Sequence, residues 1–260
     1  MAATRTARAG FVGEFFAGAG FLARGIGMYA RNPRLMVLGL LPALIAASVL
    51  VAAFLAAGYF VDDAVRLVTP FADDWSTDLR DTVRLVASLV IIGGWVLLSL
   101  LVFAALTLMI GEPFYEAISK DVDDRNGGVP GEIDVPFWRS LPRSLADSAR
   151  LLVFTALCGA PLFVGGFIPI VGETVVPVLG AALGGWVLAI QLTSVPFERR
   201  GLRLRDRRAA LRRRRSMALG FGVATFLCFL VPLGAVLVMP AAVAGATLMS
   251  RRVLGEPAPA

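Results

Sequence analysis

Charge is distributed very unevenly along this chain: long uncharged stretches alternate with short segments dense in arginine and aspartate. Residues 35–61, "LMVLGLLPALIAASVLVAAFLAAGYFV", contain no charge, and neither do residues 85–111, "LVASLVIIGGWVLLSLLVFAALTLMIG". At ~1.5 Å rise per residue, each exceeds the ~30 Å thickness of a bilayer's hydrocarbon core. Both therefore read as transmembrane helices, since uncharged helices of this length are rare in water.

Two further apolar stretches are interrupted. Residues 151–197 are uncharged except for Glu173 and break at "FIPIVGETVVP"; residues 216–250 break at "LVPLGAVLVMP". Proline and glycine inside apolar sequence mark a turn, so each stretch reads as a helical hairpin. The second leaves arms of about 15 residues, roughly 23 Å long by the helical rise. Such arms either turn back before the far face or cross fully, both of which return the chain to the same side; irregular backbone at depth needs protein or a wet cavity around it. The hairpins also resemble one another. Pro169 and Pro177 are spaced like Pro232 and Pro240, and small residues follow each second proline, Gly180 with Gly184 and Ala241 with Gly245. Small residues at this spacing let helices approach closely. Broken-helix repeats occur in transporters; coincident turn chemistry is the alternative.

Shorter periodic segments complete the reading. In residues 11–31, Phe11, Phe15, Ala19, Leu22, Ile26 and Tyr29 fall at steps of three or four, away from Glu14, Arg24 and Arg31. This predicts an amphipathic helix in the membrane interface. Residues 137–150 repeat the pattern as a surface helix, with Trp138, Leu141, Leu145 and Ala149 on one face. Residues 113–126 form another, with Glu112 and Pro113 at its start and Gly127 at its end. The fold class is an all-α integral membrane protein, one membrane domain of two long transmembrane helices, two broken hairpins and amphipathic surface helices.

Composition agrees: 57% of residues are hydrophobic and mean hydropathy is +0.77, against ~45–50% apolar in soluble domains. Charge sets the orientation. With the N-terminus in the cytoplasm, 22 of the Lys and Arg residues lie inside and 3 outside, in the 62–84 loop that also holds six Asp. That obeys the positive-inside rule and puts both termini of a multi-pass membrane protein in the cytoplasm. The 198–215 loop, with "RLRDRRAALRRRRS" at 203–216, then faces the anionic cytoplasmic leaflet. It lacks interleaved aromatics for stacking bases, so nucleic acid is not the expected partner.

The candidate chemistry narrows quickly. There is no histidine, and the two cysteines, Cys158 and Cys228, lie apart in apolar stretches. No metal site, no cofactor and no catalytic group is expected from this inventory. An intramembrane enzyme needs paired carboxylates or a nucleophile with its base at depth; the apolar runs offer Glu173, Gln191 and Ser194 without one. No GxxxxGK[ST] stretch is present, so any transport runs on a gradient. The first long apolar run begins too far from Met1 to read as a cleavable signal peptide.

The stretches "FIPIVGETVVPVLG", "GWVLAIQLTSVPFE", "ALRRRRSMALGFG" and "VMPAAVAGATLM", with "EPFYEAIS" after the second span, resemble the CysZ and etoposide-induced-protein domain family over roughly residues 12–252. The resemblance implies two long transmembrane helices with two partly penetrating hairpins, a homo-oligomer, and sulfate passage that feeds cysteine biosynthesis. It places an anion site in a Gly-Leu-Arg motif after a proline at the first long helix. Here the matching stretch is Pro33-Arg34-Leu35-Met36, in which only Leu35 agrees. Arg31, Asn32, Arg34 and Leu35 are accordingly the expected anion-binding residues: Asn32 caps the helix, and free backbone N–H groups there favour anions. Headgroup anchoring by the two arginines is the competing reading. Glu112, Pro113 and Glu173 are the expected pore or gating residues. The partners are then the lipid bilayer, sulfate or a similar small inorganic anion, and further copies of the chain. The alternative function is a non-transporting membrane organiser or assembly protein.

Overall fold

The computed structural model describes residues 10–58, 77–132, 137–231 and 233–256. Among these it contains nine helices and no strand: α1 (Phe11–Arg31), α2 (Pro33–Gly58), α3 (Thr77–Arg125), α4 (Phe137–Gly165), α5 (Val171–Leu192), α6 (Ser194–Glu198), α7 (Leu204–Arg213), α8 (Arg215–Phe229) and α9 (Gly234–Leu254). Five helices are long and apolar enough to cross a membrane: α2, α3, the Ala146–Gly165 part of α4, α5 and α9. Most of the expected external loop, the end of the first span beyond residue 58, and the side chains of Trp138, Leu141 and Leu145 lie outside the described residues or side chains.

The packing divides at Leu38/Gly39 and Phe114/Tyr115 into two units. The 39–114 unit consists of most of α2 with the first part of α3. Leu44, Val49, Leu55, Leu89, Val90, Leu97 and Leu101 are all exposed on it. Exposed apolar surface on this scale is what lipid, not water, solvates.

The other unit is built around α8 and α9. Its core joins Phe21 and Leu22 of α1, Tyr115, Ile118 and Val122 of α3, Ile190 of α5, Leu211 of α7, Phe221 of α8 and Met249 of α9. Glycines set the helix separations. A Cβ at Gly18 would lie 2.0 Å from Met217 O, one at Gly220 1.9 Å from Phe15 O, and one at Gly222 1.8 Å from Gly185 O. A Cβ at Gly25 would meet Ala241 O at 2.2 Å, and one at Gly245 would meet Phe21 O at 2.6 Å. Backbone therefore rests on backbone along the α1–α8, α1–α9 and α5–α8 seams, the small-residue mode of membrane helices. Gly180 has open space around it and takes no part.

Four boundaries differ from the sequence reading. The 85–111 span and the 113–126 surface helix are one helix, α3, with Pro113 inside it. A single proline removes one i→i−4 bond, and strong helix formers on both sides carry the helix through. Likewise the 137–150 helix runs on without a break into the first hairpin arm as α4. The 198–215 segment holds α7 in place of an open loop, and the short α6 ends at its first residue, Glu198. The second hairpin has unequal arms, 15 residues in α8 and 21 in α9, because α9 continues past Arg251 to Leu254.

The face of α1 also differs. Gly18, Phe21, Leu22 and Gly25 are buried, while Phe11 and Ile26 are exposed. Close approach selects the glycine stripe over the bulkier one beside it.

The hairpin turns match each other in backbone. Ile170 follows Pro169 with φ 70°, and Leu233 follows Pro232 with φ 61°. Each is the residue just before its helix, and each helix carries a proline at its seventh position, Pro177 in α5 and Pro240 in α9. A Cβ on Gly172 would meet Gly166 O at 2.3 Å, and one on Gly234 would meet Cys228 O at 2.0 Å. In both cases the contact falls on the residue six positions earlier. The spacing noticed in sequence thus corresponds to a repeated turn.

Candidate functional site

The chain reverses from α1 into α2 at one extended residue, Asn32 (φ −114°, ψ 105°). Its N–H donates to Tyr29 O at 3.3 Å, and its carbonyl accepts from Met36 N–H at 3.0 Å. That second bond is the first of α2. Pro33 has no N–H, and Arg34 and Leu35 precede the first bond, so their N–H groups have no intrahelical acceptor. The Tyr29 hydroxyl spans the corner to Met36 O at 3.4 Å. Leu35 is fully buried and fixes the corner in the core, so only its backbone can face a ligand. The Arg34 side chain is 74% exposed and pairs with Asp121 at 3.3 Å. Asp121 also receives Arg125 Nε at 2.6 Å. Arg31 is exposed at the end of α1. The corner therefore gathers two unclaimed N–H groups and two arginines, with one carboxylate competing for Arg34.

Glu112 and Pro113 lie on α3 in the 39–114 unit. Glu173 is exposed in the first turn of α5, in the other unit, where the helix dipole favours its negative charge.

The densest charge assembly is one the sequence reading did not find. Asp123, fully buried near the end of α3, accepts from Arg199 Nη1 at 2.9 Å, Arg200 Nη2 at 2.8 Å and Arg251 Nη1 at 3.2 Å. Glu132 takes Arg199 at 2.9 Å, and Glu256 takes Arg200 Nη2 at 2.8 Å and Arg251 at 3.2 Å. Arg251 also donates to Gly128 O at 2.7 Å and to Asn126 O, closing the turn at the end of α3. Three guanidinium groups thus face three carboxylates, tying the end of α3 to α6 and to the end of α9. Burial works against the Arg200 charge, but the hydrogen bonds it donates to Glu256 and Asp123 outweigh this and raise the pKa above the usual arginine value. Burial likewise opposes the Glu256 charge, yet Arg200 holds that carboxyl below its ordinary value. Arg199 holds Glu132 down by hydrogen bond and charge.

A signal for this assembly was present. Tyr115, Ile118, Ser119 and Val122 form a buried helical stripe, and Asp123 falls on its edge. Its partners Arg199 and Arg200 come from the arginine-rich 198–215 segment.

A model of the family described as sulfate transporter CysZ/etoposide-induced protein 2.4 matches residues 21–240. A "Sulfate transporter CysZ" of Pseudomonas fluorescens is 37% identical over 152 residues, covering 56% of this chain and 59% of that protein. One of Vibrio parahaemolyticus is 32% identical over 149 residues, covering 56% of this chain and 60% of that protein. The matched part thus spans about three-fifths of the length of these curated relatives.

Proposed function

The chain belongs to the sulfate transporter CysZ/etoposide-induced protein 2.4 family, and on that premise we propose that it conducts sulfate, or a small anion of like geometry, across a bacterial inner membrane. The observation that carries this reading is the family match over residues 21–240. Five helices of membrane-crossing length support it, as do two relatives described as sulfate transporters. Transport of sulfate supplies its reduction and, through that, cysteine biosynthesis. No nucleotide motif is present, so the anion moves down its own gradient or with a co-ion. Copies of the chain assemble in the bilayer, and both termini are cytoplasmic.

The anion is held at the α1–α2 corner, by the N–H groups of Arg34 and Leu35 beside Asn32, with the Arg31 and Arg34 side chains supplying charge. Arg34 exchanges Asp121 for the anion. Pro113 and Glu112 on α3, and Glu173 at the start of α5, serve the pathway.

The test is uptake of labelled sulfate, thiosulfate and chloride by liposomes holding purified protein. Stimulated sulfate entry is expected. Arg34→Gln should weaken the apparent sulfate affinity by about tenfold or more, since a hydrogen bond to a charged group contributes ~1.5–3 kcal/mol. Folded protein that admits none of the three anions would sink the reading and leave the organiser role.

A further inference from the structure

A second basic site lies apart from the α1–α2 corner. Arg205, Arg208 and Arg212 occupy one face of α7, at steps of three and four. Across from them stands Arg150 of α4. Together with Leu204 and Ala209 they line a pocket of about 400 Å³. Arg150 pairs with Asp147 at 2.9 Å, and Asp206 is turned to its own helix start, accepting from Arg203 N–H. Among the described residues no carboxylate lies within ion-pair distance of Arg205, Arg208 or Arg212. Arg205, Arg208 and Arg212 repel each other around one cavity, with the Asp147 carboxylate beside the fourth arginine, so the pocket carries an excess of positive charge that an anion would complete.

Its position defines the kind of anion. Arg150 lies in the opening turns of Ala146–Gly165, the membrane-length part of α4. Phe154 is one turn deeper, with the Arg208 guanidinium 5.8 Å from its ring centroid. Leu157 and Pro161 continue the same face of α4, and both are exposed. A cationic head region therefore leads directly onto an apolar track running into the span. We propose that this pocket holds the phosphate of an anionic phospholipid of the cytoplasmic leaflet, with its acyl chain laid along Phe154, Leu157 and Pro161. The site is independent of the transport reading.

The experiment is native mass spectrometry of the full chain released from detergent, titrated with phosphatidylglycerol, with diacylglycerol of matched chains, and with sodium sulfate. Wild-type protein should retain phosphatidylglycerol in preference to diacylglycerol, and excess sulfate should not displace it. Combined Arg205→Gln, Arg208→Gln and Arg212→Gln should weaken retention roughly 100-fold, from about a unit of binding energy per basic residue near a membrane surface. Arg213→Gln, Arg214→Gln and Arg215→Gln together remove the same charge outside the pocket and should leave retention near the wild-type level. If the pocket triple variant fails gel filtration, Arg150→Gln alone replaces it, with a loss of several-fold expected. Equal loss in both triple variants, unchanged retention in the pocket variant or in Arg150→Gln, equal binding of diacylglycerol, or displacement by sulfate would each overturn the assignment.

Discussion

Asp123 concentrates more ionic contact than any other described side chain, and its removal leaves three guanidinium groups to share Glu132 and Glu256. Asp123→Asn should lower stability by ~3–5 kcal/mol, the usual result of breaking a buried pair from one side. It should be read as a lower thermal midpoint in detergent; an unchanged midpoint would mean that water already reaches these arginines. The acidic partners give the cluster a pH dependence. Glu132 and Glu256 have folded-state pKa values below the ordinary 4.5. The unfolded chain thus binds more protons than the folded one between the two values. Their contribution is full above about pH 4.5 and declines as pH falls through the depressed values. Glu256→Gln should flatten the acid limb of a stability–pH curve while lowering its neutral plateau. Residue identity alone did not reveal this cluster, because its members lie on α3, α6, α9 and the chain beyond them, and only the fold brings these together. The α1–α2 corner was legible, because a cap residue, a proline and flanking arginines are local in sequence.

Helices in this protein are spaced by what glycine lacks. Gly222→Ala would push a methyl group against Gly185 O, 1.8 Å from its ideal position, with backbone on both sides unable to yield cheaply. A loss of ~1–3 kcal/mol is expected, as for other overpacked sites. Gly20→Ala, on the open side of α1 with nothing within 4 Å, should instead gain ~0.5–1 kcal/mol from helix propensity. Thermal melts of the two variants should move in opposite directions; parallel shifts would refute the seam. The existence of the long helices was readable from uncharged length alone. Their ends were not, because proline in an apolar helix and proline at a hairpin turn look alike in sequence. Pro113 and Pro177 lie inside helices, whereas Pro169 closes a turn, and only neighbouring backbone decides which.

At the scale of the whole molecule the second hairpin's depth follows from length and surface. α8 has 15 residues, about 22 Å by the helical rise, against ~30 Å of hydrocarbon. Around the turns Phe163, Phe167, Ile168, Leu230 and Val231 are exposed and apolar, a surface suited to acyl chains. A single cysteine at Leu230, at the end of the short α8 arm, in a chain with Cys158 and Cys228 replaced by serine, should therefore resist a membrane-impermeant maleimide added from outside. Rapid labelling would mean that the second hairpin crosses fully. Gly172 and Gly234 are poor positions for the probe, since each sits against a carbonyl. The left-handed residues at these turns have a further consequence. Holding a side chain at positive φ costs ~1–2 kcal/mol at each turn, and glycine would relieve it. Yet Ile170, 76% exposed, and Leu233, 43% exposed, present their side chains where lipid tails would receive them. A glycine there would give a more relaxed bend and a weaker anchor, so the strained backbone and the depth of immersion should be traded against each other in any effort to stabilise this protein.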